Sequence, residues 1–144
     1  MPKLIKLDAE TGQWNIETAA PTIDWQPADE WQAEQPLLLE GDAEPADAYA
    51  QASAIAINFP AFNDGRGLSL AVLLRTRVGF AGELRAIGAV HEDVLHYMAR
   101  CGFSSFELPD DKDADQALAL VAPYSDHYQA SILQPTPAFR RVQR

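Results

Sequence analysis

Residues 58–88 constrain the fold more than any other stretch, because the predicted secondary structure changes several times within NFPAFNDGRGLSLAVLLRTRVGFAGELRAIG. Pro60 follows the apolar run at residues 54–57 and stops it from continuing as a central strand. Residues 68–78 are largely apolar and predict a helix, after which Gly79 stands where a C-cap glycine would. Charged and apolar side chains then alternate over residues 83–87, as in a second strand. The stretch predicts an α/β unit with a charged loop between its first strand and its helix.

Strands and helices alternate along the rest of the chain as well. We expect strands at residues 3–7, 14–16, 37–40, 54–59, 83–87, 105–108 and 126–132, and helices at residues 45–52, 68–78, 91–100 and 113–121. Alternation of this kind pairs parallel strands through right-handed crossovers. We therefore predict a single-domain α/β fold with a mainly parallel sheet. An open sheet is favoured over part of a barrel, because the chain is too short for an eight-fold barrel.

A repeated pattern supports this alternation. The string Arg-x-Gly-Phe, followed after a short gap by Glu-Leu, begins at Arg77 and again at Arg100, 23 residues later. Each copy predicts a helix that ends in basic charge, a capping glycine, an aromatic side chain and then a strand.

The length of 144 residues corresponds to one domain. We divide the chain into an N-terminal extension with a short β adapter at residues 1–36, an α/β domain at 37–133 and a C-terminal tail at 134–144. Prolines at positions 21, 27 and 36 prevent any long regular element in the extension. Its Trp25 and Trp31 either pack onto the domain or anchor an interface.

The net charge of −10 is concentrated in the first part of the chain. Residues 1–57 contain eleven Asp and Glu against two Lys, whereas residues 58–100 have a local net charge of +1. This acidity argues against binding to nucleic acid or to an anionic membrane, and fits either a solvated face or a surface that steers a basic partner.

We expect a cytoplasmic protein, because no apolar run approaches the length of a membrane span and no secretory signal is recognisable. The oligomeric state stays open.

The loop at residues 63–69 is the best candidate for a ligand site, since ligands of open parallel sheets bind beyond the carboxyl ends of the strands. Gly65 and Gly67 would let the backbone approach a ligand, and the next helix would offer free N–H groups. The candidate oxyanion site, for sulfite, sulfate or a phosphate, comprises Asn63, Asp64, Gly65, Arg66, Gly67 and Ser69. The alternative is structural: Asp64 caps the helix and Arg66 pairs with a nearby acid.

Other charged residues of this region are assigned a supporting role. Arg75 and Arg77 are two positions apart and so point to different sides of a helix, and at least one is expected to pair with an acid. Glu83, Arg85 and Glu107 are interpreted as an ion-pair network on neighbouring strands. The whole predicted network comprises Arg75, Arg77, Glu83, Arg85, Asp93 and Glu107.

No metal ligand set and no catalytic motif is recognisable in the sequence. His91 and His96 are five residues apart, the wrong spacing for one helix face, and His127 is remote. Cys101 is the single cysteine, which excludes an internal disulfide or a four-cysteine cluster, and it is interpreted as a buried small side chain. We therefore predict no cofactor and no metal, and assign no catalytic residues.

Two strings carry a resemblance to a known family: Phe-Pro-Ala-Phe-Asn-Asp-Gly-Arg at residues 59–66 and Leu-Arg-Thr-Arg-Val-Gly-Phe-Ala-Gly-Glu-Leu-Arg-Ala at 74–86. With Asp93, the Arg-Cys-Gly-Phe string at 100–103 and Tyr128-Gln129, they closely resemble a bacterial family of small proteins of unknown function. That family is often labelled as an oxidoreductase involved in sulfite reduction. The likeness spans residues 55–129, and Ala89 stands where the family pattern is often acidic.

The resemblance implies a place in assimilatory sulfur metabolism, beside a haem-type sulfite reductase. Because no flavin or nicotinamide fingerprint is recognisable, we expect an accessory protein that docks on sulfite reductase and serves its assembly, electron delivery or substrate handling. The alternative is a small oxyanion-binding enzyme or sensor that uses residues 64–69.

Overall fold

Seven strands form one sheet in the part of the chain that the structure, a computed structural model, describes: residues 3–8, 10–17, 22–61, 65–109 and 112–121. They are β1 Lys3–Leu7, β2 Trp14–Glu17, β3 Gln26–Pro27, β4 Leu37–Glu40, β5 Ala54–Phe59, β6 Glu83–Gly88 and β7 Ser105–Leu108. Their order is β2-β1-β7-β6-β5-β4-β3. Strands β3 to β7 are parallel, and β1 is antiparallel to both β2 and β7. The predicted α/β fold with an open, mainly parallel sheet is confirmed.

Helices follow the parallel strands at the expected places. They are α1 Arg66–Leu73, which continues into a π-helical turn at Leu74–Val78, α2 Leu95–Cys101 after a 3-10 turn at Glu92–Val94, and α3 Ala114–Val121. The predicted helix at residues 45–52 is only a 3-10 turn, Asp47–Gln51, because five residues are too few to stabilise an α-helix. The predicted strand at 126–132 and the tail at 134–144 lie outside the described residues.

The hydrophobic core lies between one face of the sheet and the helices. Along β5, Ile55, Ile57 and Phe59 belong to the core, and strand pairing places Leu39 and Ala86 beside Ile57 on the same face. These side chains pack against apolar residues of all three helices: Leu70, Ala71, Leu95, Met98, Ala99, Ala114, Ala117 and Val121. The alternate strand residues, such as Ala56 and Arg85, therefore point to the opposite face, which we call the second face.

The repeated Arg-x-Gly-Phe string has the same structure in both copies. Gly79 and Gly102 end their helices with φ angles of 79° and 118°, a left-handed conformation that glycine adopts without a steric penalty. Phe80 and Phe103, the next residues, are both buried in the core. Each copy thus ends a helix, turns the chain into the core and starts the next strand.

The N-terminal extension contributes to the same sheet. The predicted strands at 3–7 and 14–16 are confirmed as β1 and β2, which form a hairpin that pairs with β7 through β1. Ile5 of β1 is fully buried, and Trp14 of β2 stacks on Phe106 with ring centroids 5.5 Å apart. Within the described residues, none of the helices is long and apolar enough to cross a membrane.

Candidate functional site

The start of α1 lies at the carboxyl end of β5, as the sequence analysis expects of the loop at 63–69. Gly65 is the N-cap residue of α1, and Gly65, Arg66 and Ser69 are all exposed to solvent. A Cβ atom added at Gly65 would have nothing within 4 Å, so space is open beside this end of the helix. Asn63 and Asp64, the other members of the candidate oxyanion site, lie outside the described residues.

Gly67 is explained by packing. It is buried, and a Cβ atom there would lie 2.6 Å and 2.7 Å from two ring carbons of Phe59 and 3.2 Å from Ile57 Cγ2. A Cβ atom at Gly41, just after β4, would in turn lie 3.1 Å from the Gly67 nitrogen. The lack of a side chain at Gly67 lets α1 approach the end of β5, and the Phe59 ring occupies the space where a Gly67 side chain would lie.

The strand order changes the expectation for this edge of the sheet. In open parallel sheets, ligands bind where neighbouring strands send their connections in opposite directions. Here β3 to β7 are neighbours in chain order, so the described parallel strands contain no reversal of that kind. At the carboxyl ends of β4 and β5, Asn58 Nδ2 donates a hydrogen bond of 3.0 Å to Glu40 Oε2, which joins the two strands.

A second group of polar side chains lies on the second face, toward the middle of the sheet. We call it the Glu83 cluster, and it consists of Lys6, Glu83, Arg85, Ser105 and Glu107. Strand pairing places Lys6 opposite Ser105 and Ser105 opposite Arg85. Three strands thus bring the cluster together.

Glu83 is the centre of this cluster. Its Oε2 accepts hydrogen bonds from Arg85 Nε at 2.9 Å, Arg85 Nη2 at 2.7 Å and Ser105 Oγ at 2.7 Å, while Oε1 lies 3.1 Å from Lys6 Nζ. Burial acts to raise the pKa of the Glu83 carboxyl, but the hydrogen bonds from Ser105 and Arg85, the charge of Arg85 and the bond from Lys6 together lower it. Glu83 is therefore a carboxylate at neutral pH.

Arg85 links the cluster to the N-terminal extension. Only 7% of its side chain is exposed, and its Nη1 lies 3.6 Å from Glu107 Oε2. The half-buried Trp25 ring lies over the guanidinium, with 5.5 Å from Cζ to the ring centroid. A buried guanidinium is stabilised by paired carboxylates and by an aromatic ring in this way.

The structure brings together three residues of the predicted network, Glu83, Arg85 and Glu107. Lys6 and Ser105 are members that the sequence analysis missed. The sequence of Lys3–Leu7 does not alternate, since Lys6 shares a strand face with the apolar Leu4, and the pairing of β1 with β7 has no local signal in the sequence either.

Arg75 lies apart from this cluster and contacts backbone oxygens instead of an acid. Its Nε donates to Gly102 O at 2.9 Å, and its Nη1 donates to Phe80 O at 3.0 Å and to Gly82 O at 2.8 Å. These carbonyl groups precede β6 and β7, so one guanidinium holds both turns. Burial lowers the pKa of Arg75 below its usual value.

The other predicted site residues are separate from both groups. Arg77 is exposed, and Asp93 is exposed beside His91, whose Nδ1 accepts a hydrogen bond of 3.1 Å from the Asp93 backbone N–H. His96 Nδ1 lies 3.3 Å from Val121 O. Burial raises the pKa of the Cys101 thiol above its usual value. Within the described ranges, no three His, Cys, Asp or Glu residues are grouped so that they could hold a metal ion.

A comparison with models of protein families decides which family this fold and these residues represent. Residues 37–139 match the model described as a bacterial protein of unknown function, DUF934. The chain belongs to the DUF934 family. Neither the curated proteins nor the solved structures contain a match.

The DUF934 match begins at the first residue of β4 and includes strands β4 to β7 and all three described helices. Glu83, Arg85, Ser105 and Glu107 lie within the DUF934 range, whereas Lys6 and Trp25 lie before it. The cluster therefore joins the DUF934 region to the N-terminal strands.

Proposed function

We propose that this DUF934 protein is an accessory protein of assimilatory sulfite reduction, which acts with a haem-type sulfite reductase in its assembly, electron delivery or substrate handling. The proposal includes a cytoplasmic location. It is supported by the strings at residues 59–66 and 74–86, which resemble proteins labelled for sulfite reduction and lie inside the family match.

The preference for an accessory role over catalysis rests on one observation: the charged groups of the Glu83 cluster already bind one another. Both oxygens of the Glu83 carboxylate are held by cations or a hydroxyl of the protein itself, and Arg85 is held between two carboxylates. A general base needs a pKa near the working pH and a geometry that reaches substrate. The lowered pKa of Glu83 and its protein partners instead favour a structural role for the cluster.

Growth on different sulfur sources tests the proposed function. In the host bacterium, we expect that a strain in which the gene is deleted fails to grow on sulfate as the only sulfur source but grows normally when sulfide is supplied. Restoring the gene should restore growth on sulfate. Normal growth of the deletion strain on sulfate would refute a required role in sulfite reduction.

The oxyanion site remains a second candidate because of the open space beside Gly65. The exposed Arg66 and Ser69 are adjacent to the positive end of α1, which favours anions. If this site binds its ligand, millimolar sulfite, sulfate or phosphate should raise the melting temperature, and Arg66→Ala should remove that increase. The exposed Arg77→Ala variant is the control, since Arg77 lies at the other end of the helix. A melting temperature unchanged by all three anions would exclude this function.

A further inference from the structure

Most acidic residues of the N-terminal part lie in a single stretch of the chain. Residues 22–61 contain eight Asp and Glu and no Lys or Arg. All eight are exposed: Asp24, Asp29, Glu30, Glu34, Glu40, Asp42, Glu44 and Asp47. We call residues 24–47 the acidic surface.

The part of the acidic surface around Trp31 is held in a defined conformation. Trp31 Nε1 donates a hydrogen bond of 2.8 Å to Gln35 O, and the Trp31 ring meets Tyr49 edge-on at 5.6 Å. The backbone N–H of Glu34 donates to Gln51 O at 2.8 Å, and that of Ser53 donates to Gln35 O at 3.2 Å. The backbone of residues 31–35 is thus fixed against the chain that leads into β5, and a partner would not have to order this segment.

Two tryptophans provide a second and independent indication of an interface. Trp25 and Trp31 are both only half-buried, although each indole is held in place, Trp25 over Arg85 and Trp31 against Tyr49. Tryptophan is enriched at interfaces, and its ring attracts Lys and Arg side chains. Carboxylates and indoles side by side therefore suit the same type of partner.

We propose that the acidic surface docks a protein surface rich in Lys and Arg. Carboxylates on a fixed scaffold attract such a surface at long range, and the ring faces of Trp25 and Trp31 would contact its cationic side chains after docking. The same charge repels nucleic acids and anionic membranes. This inference rests on the proposed accessory function, to which it adds the docking surface and the chemistry of the partner.

The test uses the full chain and purified sulfite reductase from the same bacterium as the probe. A triple variant removes three charges around Trp31: Asp29→Asn, Glu30→Gln and Glu34→Gln. A control triple variant removes three exposed charges elsewhere: Glu10→Gln, Asp93→Asn and Asp115→Asn. The two variants have equal net charge, and thermal unfolding checks that both are folded.

We expect that the wild type binds the reductase at 25 mM salt and loses affinity as salt rises to 300 mM. The triple variant at the acidic surface should bind about tenfold more weakly, a change of about 1.4 kcal/mol, because the three removed charges attract the basic partner. The control variant should bind within about twofold of the wild type.

Two results would overturn the docking surface. The first is equal binding by the wild type and the triple variant at residues 29–34, and the second is no binding of the wild type at 25 mM salt. Both are distinct from failure of the proposed function, because growth of the deletion strain on sulfate decides that separately. If growth on sulfate requires the gene but the wild-type protein does not bind the reductase, the proposed function stands and the docking surface is refuted.

Discussion

Among single residues, Glu83 has a charge that three neighbouring side chains contact. Replacing it with Gln keeps its size but removes the carboxylate that Arg85 and Lys6 contact. Loss of one partner from a buried pair costs about 3–5 kcal/mol, and partial exposure reduces this. We expect Glu83→Gln to lower the free energy of unfolding at pH 7 by about 1–2 kcal/mol, measured with urea. Glu44→Gln, at an exposed position, should change it little.

The pH dependence of stability gives a second measurement of the same residue. The pKa of Glu83 is lower in the folded protein than its ordinary value of 4.5, so the unfolded chain takes up the proton first as the pH falls. The stabilisation that the Glu83 carboxylate contributes is therefore complete above pH 4.5. It is lost as the pH falls through the lower pKa that Glu83 has in the folded protein. The difference between the wild type and Glu83→Gln should shrink over this acid range. A difference that stays constant from pH 7 to pH 3 would contradict this.

Arg75 shows how one side chain holds two turns. Its planar guanidinium donates from Nε to the Gly102 carbonyl and from Nη1 to the carbonyls of Phe80 and Gly82, and a single ammonium nitrogen cannot reproduce this geometry. We expect Arg75→Lys to lower the free energy of unfolding by about 1–3 kcal/mol, because buried carbonyls lose their donors. The control is Arg77→Lys, two residues away and exposed, which should be within about 0.5 kcal/mol of the wild type. Equal stability of the two variants would disprove the role of Arg75.

At the scale of whole elements, the position of α1 against β5 depends on a glycine. Ala at position 67 would place its Cβ 2.6–2.7 Å from the Phe59 ring, so α1 or the ring must move. Gly65→Ala is the matched control, because Gly65 has a helical φ of −76° and open space around it. We expect Gly67→Ala to destabilise the protein by about 1–3 kcal/mol and Gly65→Ala to be neutral or slightly stabilising. Urea unfolding measures both, and a stable Gly67→Ala variant would contradict the packing role.

The elements that the sequence predicted well have local signals. Residues 105–108 were predicted as a strand with the bounds of β7, because Gly102 ends the helix before them and Pro109 follows. The capping glycines of both Arg-x-Gly-Phe copies are likewise visible in the sequence, since a glycine directly after a predicted helix commonly adopts the left-handed conformation that ends it.

The parts that sequence reasoning missed depend on contacts between distant segments. The pairing of β1 with β7, which brings Lys6 to Glu83, is set by a register that neither strand specifies alone. The packing of Gly67 against Phe59 could not be read from the sequence, because a glycine required by an aromatic ring and one required by a ligand leave the same mark there. Nor could the sequence show that Arg75, which we group with the predicted ion-pair network, contacts backbone carbonyls, because these have no residue signature.

In the molecule as a whole, the N-terminal hairpin pairs with β7 of the DUF934 region and covers the edge that this strand would otherwise expose. Removal of residues 1–21 would expose the outer edge of β7, take away Lys6 and uncover the surface that the buried Leu4 and Ile5 now cover. Burial of one such side chain contributes about 1.5–3 kcal/mol, which is a large part of the roughly 5–15 kcal/mol that stabilises a domain. An exposed strand edge also pairs with other chains.

We therefore expect the shortened protein to melt at least about 10 °C lower than the wild type and to self-associate, as measured by thermal unfolding and light scattering. The full-length Lys6→Met variant separates the two causes, because it loses the ion pair with Glu83 but keeps β1 on the edge. It should keep the association state of the wild type and lose only about 1 kcal/mol. If the shortened protein keeps both the melting temperature and the association state of the wild type, the region that matches DUF934 is stable without its N-terminal strands, and the hairpin has another purpose.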